Sequence, residues 1–145
     1  MKKLTAQYIK KQLSAFFAAR PYIAFGYLFG SRANNKFTPL SDIDIAVFIH
    51  REQAPENLFE LRLKELTALF QLLKTEHIDL VFLNEAPVEL SYKILQHGKL
   101  INERNPQQHT NFIENIVRKY LDWKPFIAER NKIIRQKMVE GTYFD

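Results

Sequence analysis

The chain has 145 residues, of which 46% are hydrophobic and 13% aromatic, enough to bury a core and too apolar for disorder. It holds no cysteine, which excludes disulfides, thiolate catalysis and cysteine zinc sites. The net charge of +5 suits an anionic ligand or partner, and no apolar run is long enough to span a membrane.

Met1-Lys2-Lys3-Leu4-Thr5 lacks the apolar core of a signal peptide, so a cytoplasmic location is expected. Residues 3–20 place Leu4, Tyr8, Leu13, Phe16 and Phe17 between lysines at helical spacing, and Pro21 stops that predicted helix. Ile23 to Phe29 is short, apolar and bounded by Pro21 and Gly30, which reads as a buried strand. Asp44 to Ile49 is a second predicted strand. Pro55 is expected to open a helix reaching about Thr75, with Leu58, Leu61, Leu66, Leu69, Leu72 and Leu73 on one broad face. Ile78 to Leu83 is a third strand.

Pro87 begins a helix to about Gln96, and Gly98 is expected to end it in a left-handed conformation. Lys99 to Asn102 is a short fourth strand. From Pro106 a helix runs through Phe112, Ile113, Ile116, Val117, Tyr120 and Leu121. Pro125 is expected to kink or break it before a last helix through Met138 that ends at Gly141. The pattern predicts one domain over residues 1–145, with a core at about 22–103 and a helical extension at about 106–140. Alternating helices and strands indicate an α/β or α+β fold whose sheet is covered by helices.

The chemistry concentrates between Gly30 and Asp79. Asp42 and Asp44 are two apart at the start of a strand, so their side chains share one face. Carboxylates so placed repel unless a cation lies between them, and hard oxygen donors suit Mg²⁺ together with substrate phosphates. Taken alone, an Asp-x-Asp is more often a turn and a surface residue. Gly30-Ser31 precedes it with a turn that permits close backbone approach and offers a hydroxyl and an N–H to a phosphate, and Arg32 adds a guanidinium. The plainer alternative is a strand-to-helix turn in which Ser31 is an N-cap. Asp79 is a lone acid in the third strand, costly there unless paired or bound to metal, with a place at the sheet's rim as the alternative. A third strand beside the second would let Asp79 join Asp42 and Asp44.

Gly30-Ser31, ten residues, Asp42-Ile43-Asp44 and then Asp79 resembles the motif of the DNA polymerase β-type nucleotidyltransferases. The GSRA opening, SDIDIAVF and IDLVFLNEAP resemble the minimal nucleotidyltransferase (MNT) branch, the antitoxins of HEPN/MNT pairs, over about residues 23–103. The resemblance implies a small mixed sheet flanked by helices. It implies that Gly30, Ser31, Arg32 and Ser41 contact the nucleotide, and that Asp42, Asp44 and Asp79 are catalytic and hold two Mg²⁺ ions. Asn34-Asn35 stands where relatives carry a further basic residue or glycine. The function implied is Mg²⁺-dependent transfer of AMP from ATP to a tyrosine of a HEPN RNase toxin, in a type VII-like toxin–antitoxin system, within a hetero-oligomer. An antitoxin that acts by binding alone, and a nucleotidyltransferase for an aminoglycoside-like small molecule, are the alternatives. Direct nucleic-acid binding is not expected.

Several other features read as structural. His50, His77, His97 and His109 show no ligand spacing and are expected at surfaces or strand ends, His77 alone lying near the acids. The Arg104–His109 spacing matches that of HEPN nucleases, but Pro106 interrupts it. Arg130, Lys132, Arg135 and Lys137 read as a solvated helix face. Phe112, Tyr120, Trp123, Phe126, Tyr143 and Phe144 read as core packing, with an exposed docking patch at Tyr143-Phe144 as the minority alternative.

Overall fold

A computed structural model of the chain describes residues 4–33, 41–54 and 57–141. The expectations placed on Asn34-Asn35, on Pro55 and on Tyr143-Phe144 lie outside the described residues. Helix α1 (Ala6–Ala18) starts where the Thr5 hydroxyl accepts a hydrogen bond from the Tyr8 amide, and it buries Ile9, Leu13, Phe16 and Phe17. Strand β1 (Ile23–Phe29) follows with the predicted bounds. Phe17 lies so close to β1 that a Cβ on Gly26 would come within 2.5 Å of its ring, so this strand position has room only for glycine.

Strand β2 (Ile43–Ile49) runs antiparallel to β1. Helix α2 (Leu58–Leu73) is capped by the Asn57 side chain and ends at Lys74, which takes a left-handed conformation. It carries the chain over to β3 (Ile78–Phe82), which pairs parallel with β2. Helix α3 (Val88–His97) and strand β4 (Lys99–Glu103) complete a four-stranded mixed sheet in the order β3-β2-β1-β4. Helix α4 (Pro106–Glu140) closes the chain.

Alternation along the strands sorts side chains to two faces. Ile43, Ile45, Val47, Ile49, Leu80 and Phe82 meet α1 and α2 in one core. Phe25, Tyr27, Ala46 and Phe48 meet Ile94 of α3 and Phe112 and Ile116 of α4 in another. The expected architecture is therefore present: a small mixed sheet covered by helices on both faces.

Four local expectations are corrected. Gly98 is extended (φ −72°, ψ 161°) rather than left-handed. Its requirement is space, since a Cβ would stand 2.5 Å from the Ile94 carbonyl oxygen and 3.1 Å from the Tyr27 ring. Pro125 does not break α4, which runs unbroken through it. Pro125 has no amide to donate to the Leu121 carbonyl, and Leu121 is 58% exposed. Trp123 and Phe126 are 59% and 70% exposed and are not core.

The fourth correction is His109, which is buried rather than superficial. Its Nδ1 hydrogen bonds to Glu103 at 2.7 Å, and its Nε2 to the Tyr27 hydroxyl at 2.6 Å. Burial first, and then the Glu103 charge, push the Tyr27 hydroxyl up to about 12. This chain of bonds ties the root of α4 to β1 and β4. Arg104, four residues earlier than Gln108, also serves the fold: it donates to the carbonyls of Phe17 and Ala18 at the end of α1.

A buried acid, Glu65, stands in the middle of the leucine stripe of α2. Its carboxylate accepts from Arg20 Nε and from the Tyr22 hydroxyl, and the Arg20 guanidinium also stacks 3.5 Å over the Phe16 ring. The cluster joins the ends of α1 and β1 to α2. Glu65→Ala would leave a guanidinium and a buried hydroxyl without their acceptor. It is expected to cost about 3 kcal/mol in urea-induced unfolding followed by circular dichroism.

Candidate active site

Parallel pairing of β2 with β3 sets Ile43 opposite Ile78, Asp44 opposite Asp79 and Ile45 opposite Leu80. Partnered residues on neighbouring strands point to the same face, so Asp44 and Asp79 stand side by side. Asp42, two residues before Asp44, is on that face just outside the strand. The face is the one that carries Ala46 and Phe48, on the side of α3 and α4.

The three carboxylates differ in setting. The Asp42 and Asp79 side chains are 62% and 52% exposed, whereas Asp44 is largely covered. Burial first, then the charges of Asp79 and Asp42, push the Asp44 carboxyl up from its ordinary 3.8 to about 6. Part of the cover is the main chain at Gly30. With φ at +74°, Gly30 turns the chain out of β1, and a Cβ there would come within 2.2 Å of Asp44 Oδ2. Both the dihedral and the contact require glycine.

Ser31 opens a single helical turn, Ser31–Ala33, directly after Gly30. Arg32 is buried, with its guanidinium donating to the Ser41 carbonyl at 3.2 and 3.3 Å and to the Leu4 carbonyl at 3.1 Å. These bonds give it a structural part that its spacing did not suggest. It fastens the residue before Asp42 to the N-terminal segment and so fixes where the acidic strand begins. Ser41 is positioned by this clamp.

Two basic side chains approach the acids from outside the motif. His77 Nδ1 lies 3.9 Å from Asp42, the neighbourhood expected for it. Arg62 of α2 was not foreseen. It donates from Nε to the Leu80 carbonyl at 2.8 Å, and its Nη2 stands 4.0 Å from Asp79. An arginine beside Leu61 on a helix that buries leucines was the only sign of it in the sequence. Its bond to Leu80 also occupies an edge carbonyl of β3, the outer strand of the sheet.

The donor set fits a hard divalent cation in its chemistry: carboxylate oxygens, one of them destabilised as an anion by its neighbours and by burial. Among the described residues no three such side chains stand close enough together to enclose an ion unaided. Asp42, Asp44 and Asp79 are the candidate ligands, the first two on one strand's face and the third across the strand pair. A site of this form takes its remaining ligands from substrate phosphates and water.

The chain is similar to known proteins. Residues 11–107 match the family described as "Polymerase beta, Nucleotidyltransferase". A crystal structure of a toxin–antitoxin with AMP-PNP is similar, with a TM-score of 0.68 and 26% identity, over 89% of this chain and 98% of that one. A tri-AMPylated Shewanella oneidensis HEPN toxin in complex with its MNT antitoxin gives 0.65 and 25%, over 92% and 99%. An MntA–HepT toxin–antitoxin structure gives 0.59 and 27%, over 94% and 99%. Among curated proteins none matches. No helix among the described residues is long and apolar enough to cross a membrane.

Neutralising Asp44 removes a repulsion that the fold carries. Because its carboxyl lies above the ordinary value, ionised Asp44 destabilises the folded chain at pH 7.5. Asp44→Asn is therefore expected to raise the melting temperature in EDTA, and Mg²⁺ should raise that of the wild type but not of the variant. Gly30→Ala should lower it by several degrees, since the added methyl meets Asp44 on a left-handed backbone. Differential scanning fluorimetry measures all three.

Proposed function

Because this chain belongs to the polymerase beta nucleotidyltransferase family, we propose that it transfers AMP from ATP to a tyrosine of a HEPN toxin, acting as that toxin's antitoxin. The observation that carries the reading is the register that sets Asp44 beside Asp79, with Asp42 on the same face. Support for the acceptor comes from the similar solved chains, which belong to toxin–antitoxin complexes, one of them with an AMPylated HEPN toxin.

In this reading Asp42 and Asp44, with Asp79 beside them, would hold Mg²⁺, two ions by family resemblance. Metal held by these carboxylates would supply Lewis-acid stabilisation of phosphate charge. Gly30 and Ser31 lie beside Asp44 at the end of β1, where a phosphate can approach the bare backbone. Arg32 acts behind them by holding Ser41.

Asp79 takes the part of the acceptor's base. Its carboxylate is half-exposed, one strand away from Asp44, and open to a hydroxyl brought by another protein. A tyrosine hydroxyl has an ordinary pKa near 10, so a carboxylate that takes its proton is needed at neutral pH. The tyrosine oxygen attacks in line at the α-phosphorus. A new P–O bond forms, the α–β phosphoanhydride bond breaks, and pyrophosphate leaves with its electron pair. The toxin gains a bulky anionic group.

The test is incubation with a cognate HEPN toxin, ATP and Mg²⁺, read by intact-mass spectrometry. AMP additions on a toxin tyrosine are expected, and their absence would refute the reading. Asp42→Ala with Asp44→Ala should lower the transfer rate about 10³-fold or more without unfolding the chain. Full toxin neutralisation by that double variant would assign inhibition to binding rather than catalysis.

A further inference from the structure

Asp79 has a basic neighbour that comes from the opposite face of the sheet. Leu80 and Phe82 of β3 pack with Leu61, Leu69 and Leu73 of α2 in one core, whereas Val81 packs in the other. Alternation puts Asp79 on the side of Val81, away from α2. Arg62 belongs to α2, yet its guanidinium reaches Asp79. It does so round the open edge of β3, the outer strand. The Ile43 amide donates to the His77 carbonyl and the Leu83 amide to the Val47 carbonyl, so odd-numbered residues here bond inward to β2. The Leu80 carbonyl is thereby turned outward, and Arg62 Nε donates to it at 2.8 Å.

That bond fixes where the charge stands. Leu61 and Glu65, on either side of Arg62 in α2, are buried and hold the helix against the sheet. With Nε committed to Leu80, the planar guanidinium sets Nη2 4.0 Å from Asp79 Oδ1. This is the separation of an ion pair and is too long for a hydrogen bond, so the attraction is one of charge. Arg62 and Asp79 are 39% and 52% exposed, which leaves the pair screened by water and easily exchanged. One candidate ligand thus has a cation beside it that is tied to the backbone of the next residue.

We propose that Arg62 is a positioning residue that holds the Asp79 carboxylate towards the edge of the sheet and lowers the affinity of the three acids for a divalent cation. This deepens the proposed function and rests on its reading of Asp42, Asp44 and Asp79 as a metal site. A divalent cation that takes Asp79 must draw it from a guanidinium that stays in place, because Nε remains bonded to Leu80. The acids alone then bind the cation weakly, and phosphate oxygens arriving with the nucleotide supply the rest of its ligands.

The test titrates the full chain with Mn²⁺, without nucleotide, by isothermal titration calorimetry, with circular dichroism as the check of fold. Arg62→Gln is expected to bind Mn²⁺ about fivefold more tightly at low salt, a gain that falls below about twofold in about 0.5 M KCl. Arg62→Lys keeps the charge and is expected to stay within about twofold of the wild type. With Asp79→Asn in place, the gain from Arg62→Gln should shrink below about twofold. The sign is diagnostic, since a residue that merely braced the strand edge would, once lost, loosen the acids and weaken binding. Unchanged or weaker Mn²⁺ binding by folded Arg62→Gln would overturn the proposal and leave the proposed function standing. A full gain that persists with Asp79→Asn would also overturn it, by showing that Arg62 does not act through Asp79. Wild-type Mn²⁺ binding that Asp42→Ala with Asp44→Ala leaves intact, or no binding by the wild type, would overturn the metal site and this proposal together.

Discussion

Asp44 and Asp79 occupy partnered positions on adjacent parallel strands, so folding sets two negative charges side by side with a third just outside. At neighbouring-strand spacing that repulsion is about 1 to 3 kcal/mol, depending on how much water screens it. The fold tolerates it because the same strand delivers its apolar residues to the opposite face. Ile43, Ile45, Val47 and Ile49 are almost wholly buried, each contributing roughly 1.5–3 kcal/mol. A slip of one residue would turn the acids into that core and the isoleucines out to water. The hydrophobic alternation of β2 is therefore what pins the acids to one face, and the unfavourable pair persists because the favourable one fixes the register.

The other parts of the site follow from that constraint. A half-buried carboxylate needs a covering surface without a side chain, and Gly30 supplies bare backbone at the end of β1. The chain must then return to Asp42 at a fixed place. Arg32 holds that return through the Ser41 carbonyl, which is why a residue read as a phosphate ligand turns up buried. Arg62 stands on the outer side, bonded to Leu80 and near Asp79, and partly offsets the local excess of negative charge.

Much of this was legible because it is local. β1 announces itself as an apolar run between Pro21 and Gly30 and β2 by its β-branched residues, and an Asp-x-Asp at a strand start defines a shared face before any partner is known. What escaped depends on residues far away in the chain. Glu65 looks like one more charge on a helix until Arg20 and Tyr22 close on it. His109 looks superficial until Tyr27 and Glu103 take its two nitrogens. Gly98 reads as a left-handed helix end, whereas it is extended and crowded by the Ile94 carbonyl and by Tyr27 of another strand. Trp123 and Phe126 were assigned to a core on the general habit of aromatic residues, a habit that fails where the helix outruns the body.

The active site, too, is exposed. The acids are presented at the open end of a sheet face, and two of the three are more than half exposed. A site so open is not an enclosing pocket. Helix α4 is firmly held. It is tied at its root by the Tyr27–His109–Glu103 bonds and packed by Phe112 against Phe25 and Phe48, then latched to α3 through Tyr120 and Arg130. Each tie lies on the anchored side, which leaves Trp123, Phe126, Ile133, Met138 and Val139 of the far half exposed.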